Sequence, residues 1–143
     1  MNPLTHRVAY HETDQLGIVH HSNYIRWFEE ARDACVRDEG IDYRQIEARG
    51  ILMPVTDVRC DYHRPARYGE LVSVEARPVL FSGVRLRYEY RVLDEEGNLL
   101  VTGESGHCFI SADTRKPLNL KKHMPEYCEV LSRLVEMEKG DKA

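Results

Sequence analysis

An aspartate stands in an irregular stretch of the chain, directly before a predicted helix. Asp14 lies within residues 10–24, where neither the strand period nor the helical period holds at first. The first amides of a helix have no partner inside the helix and carry a partial positive charge. Acyl transfer needs such donors at the developing oxyanion, together with a carboxylate or another base near the carbonyl carbon. Asp14 and the helix start therefore supply the groups that acyl transfer requires.

Other interpretations compete at this stretch. An aspartate before a helix, taken alone, is more often a cap or turn residue than a catalyst. His11, His20 and His21 lie close together in sequence, yet they lack the i,i+4 pair and the third ligand of a helical zinc site. The four cysteines are scattered singly and none stands beside an obvious base, which indicates reduced thiols and not nucleophiles. We expect no metal site and no cofactor.

The helix after Asp14 is predicted from apolar residues at three- and four-residue steps. Ser22 or Asn23 is its predicted cap, and Gly40 ends it near Glu39. The apolar stripe consists of Tyr24, Trp27, Phe28, Ala31 and Cys35.

A two-residue period dominates the rest of the chain, most clearly in residues 84–92. We predict strands at residues 4–10, 51–63, 71–80, 84–92 and 99–110, a hairpin turn at 94–98, a short helix at 43–48 and a last amphipathic segment at 125–137. This order indicates one α+β domain. Because one helix covers only part of a five-stranded sheet, we also expect pairing with a second copy.

Composition excludes several classes of protein. A length of 143 residues suits one compact domain, and a formal net charge of -4 argues against a general nucleic-acid binder. No apolar stretch approaches the roughly 20 residues that cross a bilayer. The first ten residues lack the apolar core of a signal peptide, so we expect a cytoplasmic protein.

The residues around Asp14 resemble a known family. The pattern continues into the helix and reappears in the link between two strands, so it extends from about residue 7 to residue 125. It consists of Arg7, Val8, Tyr10, Thr13, Asp14, Gly17, Ile18, Val19, His21, Asn23, Tyr24, Trp27, Phe28, Glu29, Ala31 and Arg32, followed later by Tyr62 and residues 64–70. In these residues the chain resembles the 4-hydroxybenzoyl-CoA thioesterase family of hotdog proteins, and within it the Tol-Pal-associated acyl-CoA thioesterases. The resemblance implies an antiparallel five-stranded sheet wrapped around one long helix.

The resemblance also implies an activity, the hydrolysis of acyl-CoA to a free acid and CoA. It assigns the catalytic carboxylate to Asp14 and the main oxyanion donor to the backbone N–H of His21. Tyr10 and the His21 side chain are expected to orient the carboxylate or a water. Another hotdog branch uses a helical carboxylate, but the pattern around Glu29 and Glu30 indicates a structural ion pair. In the family the thioester lies across a dimer interface, so we expect a homodimer or homotetramer.

The residues are compatible with two mechanisms and with two alternative functions. Asp14 either attacks the thioester to form a mixed anhydride or activates a water. The alternative functions are a hotdog hydratase or dehydratase and a non-catalytic thioester-binding protein. Because CoA carries phosphates that need cations, the candidate contacts are Arg64, Arg67, Arg115 and Lys116.

Overall fold

The computed structural model describes residues 3–142, and it describes side chains for residues 3–140. The strands are β1 (Leu4–Arg7), β2 (Ile51–Leu52), β3 (Val55–Tyr62), β4 (Leu71–Phe81), β5 (Arg85–Leu93), β6 (Leu99–Cys108) and β7 (Ile110–Ser111). The helices are α1 (Ser22–Arg37), α2 (Tyr43–Ala48), α3 (Leu120–His123) and α4 (Pro125–Lys142). Five strands form one antiparallel sheet in the order β1-β4-β5-β6-β3, and β2 pairs with β7 in a second, two-stranded sheet. The predicted α+β class and five-stranded sheet are confirmed.

The long helix α1 lies on the sheet because each element has one apolar face. On β5 the buried side chains alternate with charged ones, so a single face of the sheet points to α1. Phe28 of α1 stacks on Tyr90 of β5, with ring centroids 4.2 Å apart. Gly103 lies beneath that ring, and a Cβ at Gly103 would meet the Phe28 side chain at 2.5 Å. The missing side chain at Gly103 therefore sets how closely the helix approaches the sheet.

Two predicted strands are divided in the structure. The prediction of one strand at 51–63 is wrong, because the chain leaves β2 at Leu52 and begins β3 only at Val55, in the other sheet. Pro54 lies between them and accepts a hydrogen bond from the Cys108 amide through its carbonyl. The segment 99–110 divides in the same way into β6 and β7. Proline has no amide to donate, which favours the break at this place.

The first strand and the last helix also differ from prediction. β1 ends at Arg7, and Tyr10 begins a short 3-10 turn instead of sharing a face with Val8. Val8 is buried whereas Tyr10 is 78% exposed. The last segment is longer than expected, since α4 continues to Lys142 and packs along β4. No helix within residues 3–142 is both long and apolar enough to cross a membrane.

Candidate active site

Asp14 opens a tight turn that precedes the start of α1. Its amide donates to the Ile18 carbonyl at 3.1 Å, and the Gly17 amide donates to the Asp14 carbonyl at 3.0 Å. Gly17 has a φ of 79°, a conformation that glycine adopts without strain. The Leu16 amide donates to one carboxylate oxygen of Asp14 at 2.8 Å. Among the side chains described, no second donor reaches this carboxylate, so the turn occupies only one of its oxygens.

The start of α1 has no side-chain cap, which contradicts the prediction for Ser22 and Asn23. His21 stands at the cap position in a helical conformation, and the Ser22 amide donates to Nδ1 of His20 at 3.3 Å. The Asn23 side chain instead donates to the backbone carbonyl of Glu12 at 2.8 Å. Within residues 3–142 the His21 amide has no acceptor at hydrogen-bond distance. This free amide is the donor that an oxyanion requires.

Asp14 and His21 line the same cleft, which has a volume of about 350 Å³. Tyr24 and Tyr62 form an aromatic wall, with ring centroids 5.5 Å apart. The Tyr62 hydroxyl donates to the His21 carbonyl at 3.1 Å and so helps to fix the peptide that precedes α1. Partial burial, and then the neighbouring Cys60, raise the pKa of Tyr62, so its hydroxyl stays protonated and able to donate.

Sequence reasoning gave Tyr62 no role, although it belongs to the quoted pattern. It lies 41 residues from the carbonyl that it contacts, so no local signal reveals the hydrogen bond. Its position at the end of a strand, next to a link that carries Arg64, is the one feature that points to a site.

Tyr10 is not brought into this cleft. Its side chain lies on the surface and packs edge-on against Tyr68, with ring centroids 5.6 Å apart. Only its backbone carbonyl serves the site loop, because it accepts hydrogen bonds from the amide and the hydroxyl of Thr13. The catalytic role expected for Tyr10 stays a prediction.

The four candidate phosphate contacts fall into two groups. Arg64 lines the cleft, and Arg67 lies exposed in the same link, which the Val19 amide ties to the site loop through the Ala66 carbonyl at 2.8 Å. Arg115 and Lys116 lie exposed in the turn after β7. That turn adjoins β2 at the start of β3, whereas the cleft lies at the other end of this eight-residue strand, roughly 25 Å away.

The comparison with known families decides which family the chain belongs to. Residues 8–133 match the family model described as "Thioesterase-like superfamily". The chain belongs to the thioesterase-like superfamily. The match includes both Asp14 and α1, and it extends through β7 into α4.

Relatives of this thioesterase-like protein are similar along most of its length. The putative acyl-CoA thioesterase YneP of Bacillus subtilis strain 168 is 35% identical over 120 residues, which cover 84% of this chain and 87% of that protein. The acyl-CoA thioester hydrolase YbgC of Escherichia coli O157:H7 is 26% identical over 98 residues, or 68% of this chain and 73% of that protein. The crystal structure of DHNA-CoA thioesterase from Staphylococcus aureus superposes with a TM-score of 0.93 at 32% identity, covering 99% of this chain and 95% of that one. These similarities confirm the predicted hotdog fold.

A buried glutamate fixes the site loop of this thioesterase-like protein. One oxygen of Glu12 accepts hydrogen bonds from the Ala9 amide at 2.8 Å and from Nε2 of His6 at 2.7 Å. The other oxygen accepts from Nε1 of Trp27 at 2.7 Å. Burial favours a raised pKa for Glu12, but the bonds from Ala9, His6 and Trp27 outweigh it and hold the pKa below its ordinary value. Glu12 is therefore charged and has a structural role. The sequence does not reveal this role, because the partners of Glu12 lie at unrelated spacings.

The histidines and cysteines of the chain form no further centre in the part that the structure describes. His20 and His21 pack against each other with ring centroids 4.2 Å apart, and no three potential ligands among the described residues converge as a metal site. All four cysteines are reduced thiols; Cys35 is buried, and the others are half-buried. Burial raises the pKa of Cys35 to about 12, which makes it a poor nucleophile.

Proposed function

We propose that this thioesterase-like protein hydrolyses acyl-CoA to a free carboxylic acid and CoA. One observation carries the proposal: a carboxylate with an unoccupied oxygen, on Asp14, and an unpartnered helix amide, on His21, line one cleft. Acyl transfer needs these groups together, since the donor must stabilise charge that develops as the carboxylate or its water attacks. The relatives named as acyl-CoA thioesterases support the same reaction.

The proposed reaction assigns a role to each group of the cleft. The thioester oxygen binds at the His21 amide, where the dipole of α1 adds to the stabilisation of the oxyanion. Asp14 removes a proton from an attacking water, or attacks the carbonyl itself and is then released by water. The carbon–sulfur bond breaks in either route, and the CoA thiolate leaves and takes up a proton. Tyr62 holds the His21 carbonyl, in the peptide next to the one that carries the oxyanion donor.

We further propose that two copies pair through β3. This strand lies at the edge of the sheet, and its inner-face side chain Val58 is 40% exposed in the single chain. An unpaired edge with exposed apolar side chains is a surface that proteins normally cover. Antiparallel pairing of two β3 strands continues the sheet across both copies and covers Val58 of each.

This pairing accounts for the separated cationic residues. A two-fold axis between the two β3 strands sets the Val55 end of one strand against the Tyr62 end of the other. The turn that carries Arg115 and Lys116 in the second copy then approaches the cleft beside Arg64. We propose that these cations, with Arg67, bind the phosphates of CoA.

Substitution of Asp14 by asparagine tests the assignment. The Asn oxygen keeps the hydrogen bond from the Leu16 amide, so the turn is preserved while the base and nucleophile is removed. We expect thiol release from a panel of acyl-CoAs to fall by two orders of magnitude or more, roughly the size of a general-base contribution. Asp113→Asn, in an exposed turn, is the matched control. Unchanged thiol release in Asp14→Asn contradicts the proposal, and an enoyl absorbance change without thiol release indicates a hydratase.

The residue pattern around Asp14 supports placement in the Tol-Pal-associated branch of the superfamily. The cytoplasmic location and the absence of a cofactor stay predictions from the sequence.

A further inference from the structure

A second cavity contains a buried arginine. It has a volume of about 700 Å³ and lies between α1 and the chain around β2 and the start of β3. Arg32 lines it and is only 8% exposed. The other walls include the apolar side chains Ile51, Met53 and Val55. The cavity is therefore largely apolar on the sheet side and has a cation in its inner wall.

The contacts of Arg32 leave its charge without a counter-ion. Nη1 donates to the Tyr90 hydroxyl at 3.0 Å, which bonds to Oγ of Ser105 at 2.5 Å, and Oγ bonds to Nε2 of His107 at 2.7 Å. Within residues 3–140 no carboxylate lies within 4.0 Å of the guanidinium, and its Nε has no hydrogen-bond partner. The other groups of this hydrogen-bonded series, on Tyr90, Ser105 and His107, are neutral donors or acceptors when His107 is unprotonated.

A buried charge with no opposite charge is costly, and proteins seldom keep one without a partner. The guanidinium cannot relieve this cost by losing its proton. A methionine would fill the same space without that cost. A negatively charged group bound in the cavity would offset this cost.

The cavity lies farther along α1 than the active-site cleft. The cleft lies at the first turn of the helix, and the cavity begins at Arg26 and extends to Asp33 on the same helix. Arg32 is eleven residues beyond His21, which corresponds to about 16 Å of helix. This is the span that an acyl group bound at the His21 amide must cover to place its far end in the cavity.

We propose that Arg32 binds a carboxylate at the far end of the acyl chain, so that the preferred substrates are ω-carboxyacyl-CoA esters. The inference rests on the proposed hydrolysis of acyl-CoA. A guanidinium binds a carboxylate through paired, charge-assisted hydrogen bonds, and the apolar walls accommodate the methylene groups between the two ends.

The acidic residues of the cavity do not prevent this binding. Glu29, Glu30 and Glu47 are exposed, and Asp33 is paired with Arg37. Neither Glu29 nor Glu30 has an ion-pair partner among the described residues, so the structural pair expected for them is absent. Exposed carboxylates act on a bound anion through water, where the energy between two charges is small, whereas the contact with Arg32 is buried. The buried guanidinium of Arg32 therefore determines which group the cavity prefers at the far end of the acyl chain.

The test compares two CoA esters of equal chain length, octanoyl-CoA and 7-carboxyheptanoyl-CoA, with the full chain and the variant Arg32→Met. For the wild type we expect kcat/KM to favour the carboxylated ester by tenfold or more. Arg32→Met should abolish this preference, mainly through KM, while octanoyl-CoA hydrolysis persists. Arg26→Met, an exposed arginine of the same cavity, is the matched control and should keep the preference.

An equal preference in the wild type and in Arg32→Met overturns the inference while leaving the proposed hydrolysis intact. If the wild type hydrolyses neither ester, the proposed function fails, and calorimetric titration with suberate and octanoate decides the inference separately. Binding of suberate that is weakened in Arg32→Met supports the carboxylate site, and equal or absent binding overturns it. If Arg32→Met does not fold, the same comparison is made with Arg32→Lys, which keeps the charge but loses the paired geometry and should reduce the preference.

Discussion

The Oε2 oxygen of Glu12 accepts a hydrogen bond of 2.7 Å from the indole Nε1 of Trp27. This bond joins the loop that leads to Asp14 with the second turn of α1, whose start supplies the His21 amide. Both groups are buried, so the bond is shielded from competition with water. The loop and the helix are thereby held as one unit, and the two halves of the proposed site keep a fixed separation.

Removal of this carboxylate should destabilise the protein. Glu12→Ala leaves Nε1 of Trp27, which is buried, and the half-buried Ala9 amide without an acceptor, and an unsatisfied buried donor costs about 1–3 kcal/mol. We expect the free energy of unfolding, measured by urea denaturation, to fall by about 2–5 kcal/mol. Glu95→Ala, in the exposed turn after β5, should change it by less than about 0.5 kcal/mol. Equal stability of the two variants would show that the Glu12 bonds contribute little.

His107 should make stability depend on pH. It is 2% exposed, and burial, followed by the charge of Arg32, lowers its pKa from 6.5 to about 4. As the pH falls below 6.5 the unfolded chain binds a proton that the folded protein does not, so the free energy of unfolding decreases until about pH 4. The loss should total about 3 kcal/mol. Denaturation between pH 4 and 7 should show a shallower slope for His107→Gln, and identical slopes would contradict the assignment.

The contact between α1 and the sheet tolerates no side chain at Gly103. A Cβ there would lie 2.5 Å from the Phe28 ring and 3.0 Å from the Arg59 carbonyl, so Gly103→Ala must displace the Phe28 ring and disturb its stacking on Tyr90. We expect a loss of about 1–3 kcal/mol, typical of overpacking. Gly140→Ala is the control, because nothing lies within 4 Å and helix propensity favours alanine there. Thermal melting should show a lower Tm for Gly103→Ala and an unchanged or higher Tm for Gly140→Ala.

A charge in the centre of β3 should separate the proposed dimer. Val58→Glu sets a carboxylate into the surface that two copies share, where its burial without a partner is unfavourable. Sedimentation velocity should find dimers or tetramers for the wild type and monomers for this variant, with loss of thiol release. Leu80→Glu, an exposed apolar residue on β4, should stay assembled. A wild type that sediments as a monomer at micromolar concentration rules out the proposed pairing.

Local patterns predicted the elements whose residues alternate between a buried and an exposed face. The three- and four-residue spacing after His21 gave α1 to within two residues at its end, and the two-residue spacing gave β5 within one residue at each end. Both periods reflect burial directly, because one face of an amphipathic helix or strand packs against the core. Asp14 was predicted to lie in a loop before α1 because neither period holds around it.

Only the tertiary structure decided which residues meet. Tyr62 reaches the His21 carbonyl across 41 residues, and Arg32 reaches the Tyr90 hydroxyl across 58. Such pairs depend on strand order and register, which no local period encodes. The free His21 amide, the charge of Glu12 and the unpaired cation of Arg32 all result from these distant contacts. The sequence by itself therefore determined the elements with a clear period, such as α1 and β5, and the catalytic candidate. The packing of the elements determined where strands divide and the environment of the candidate site.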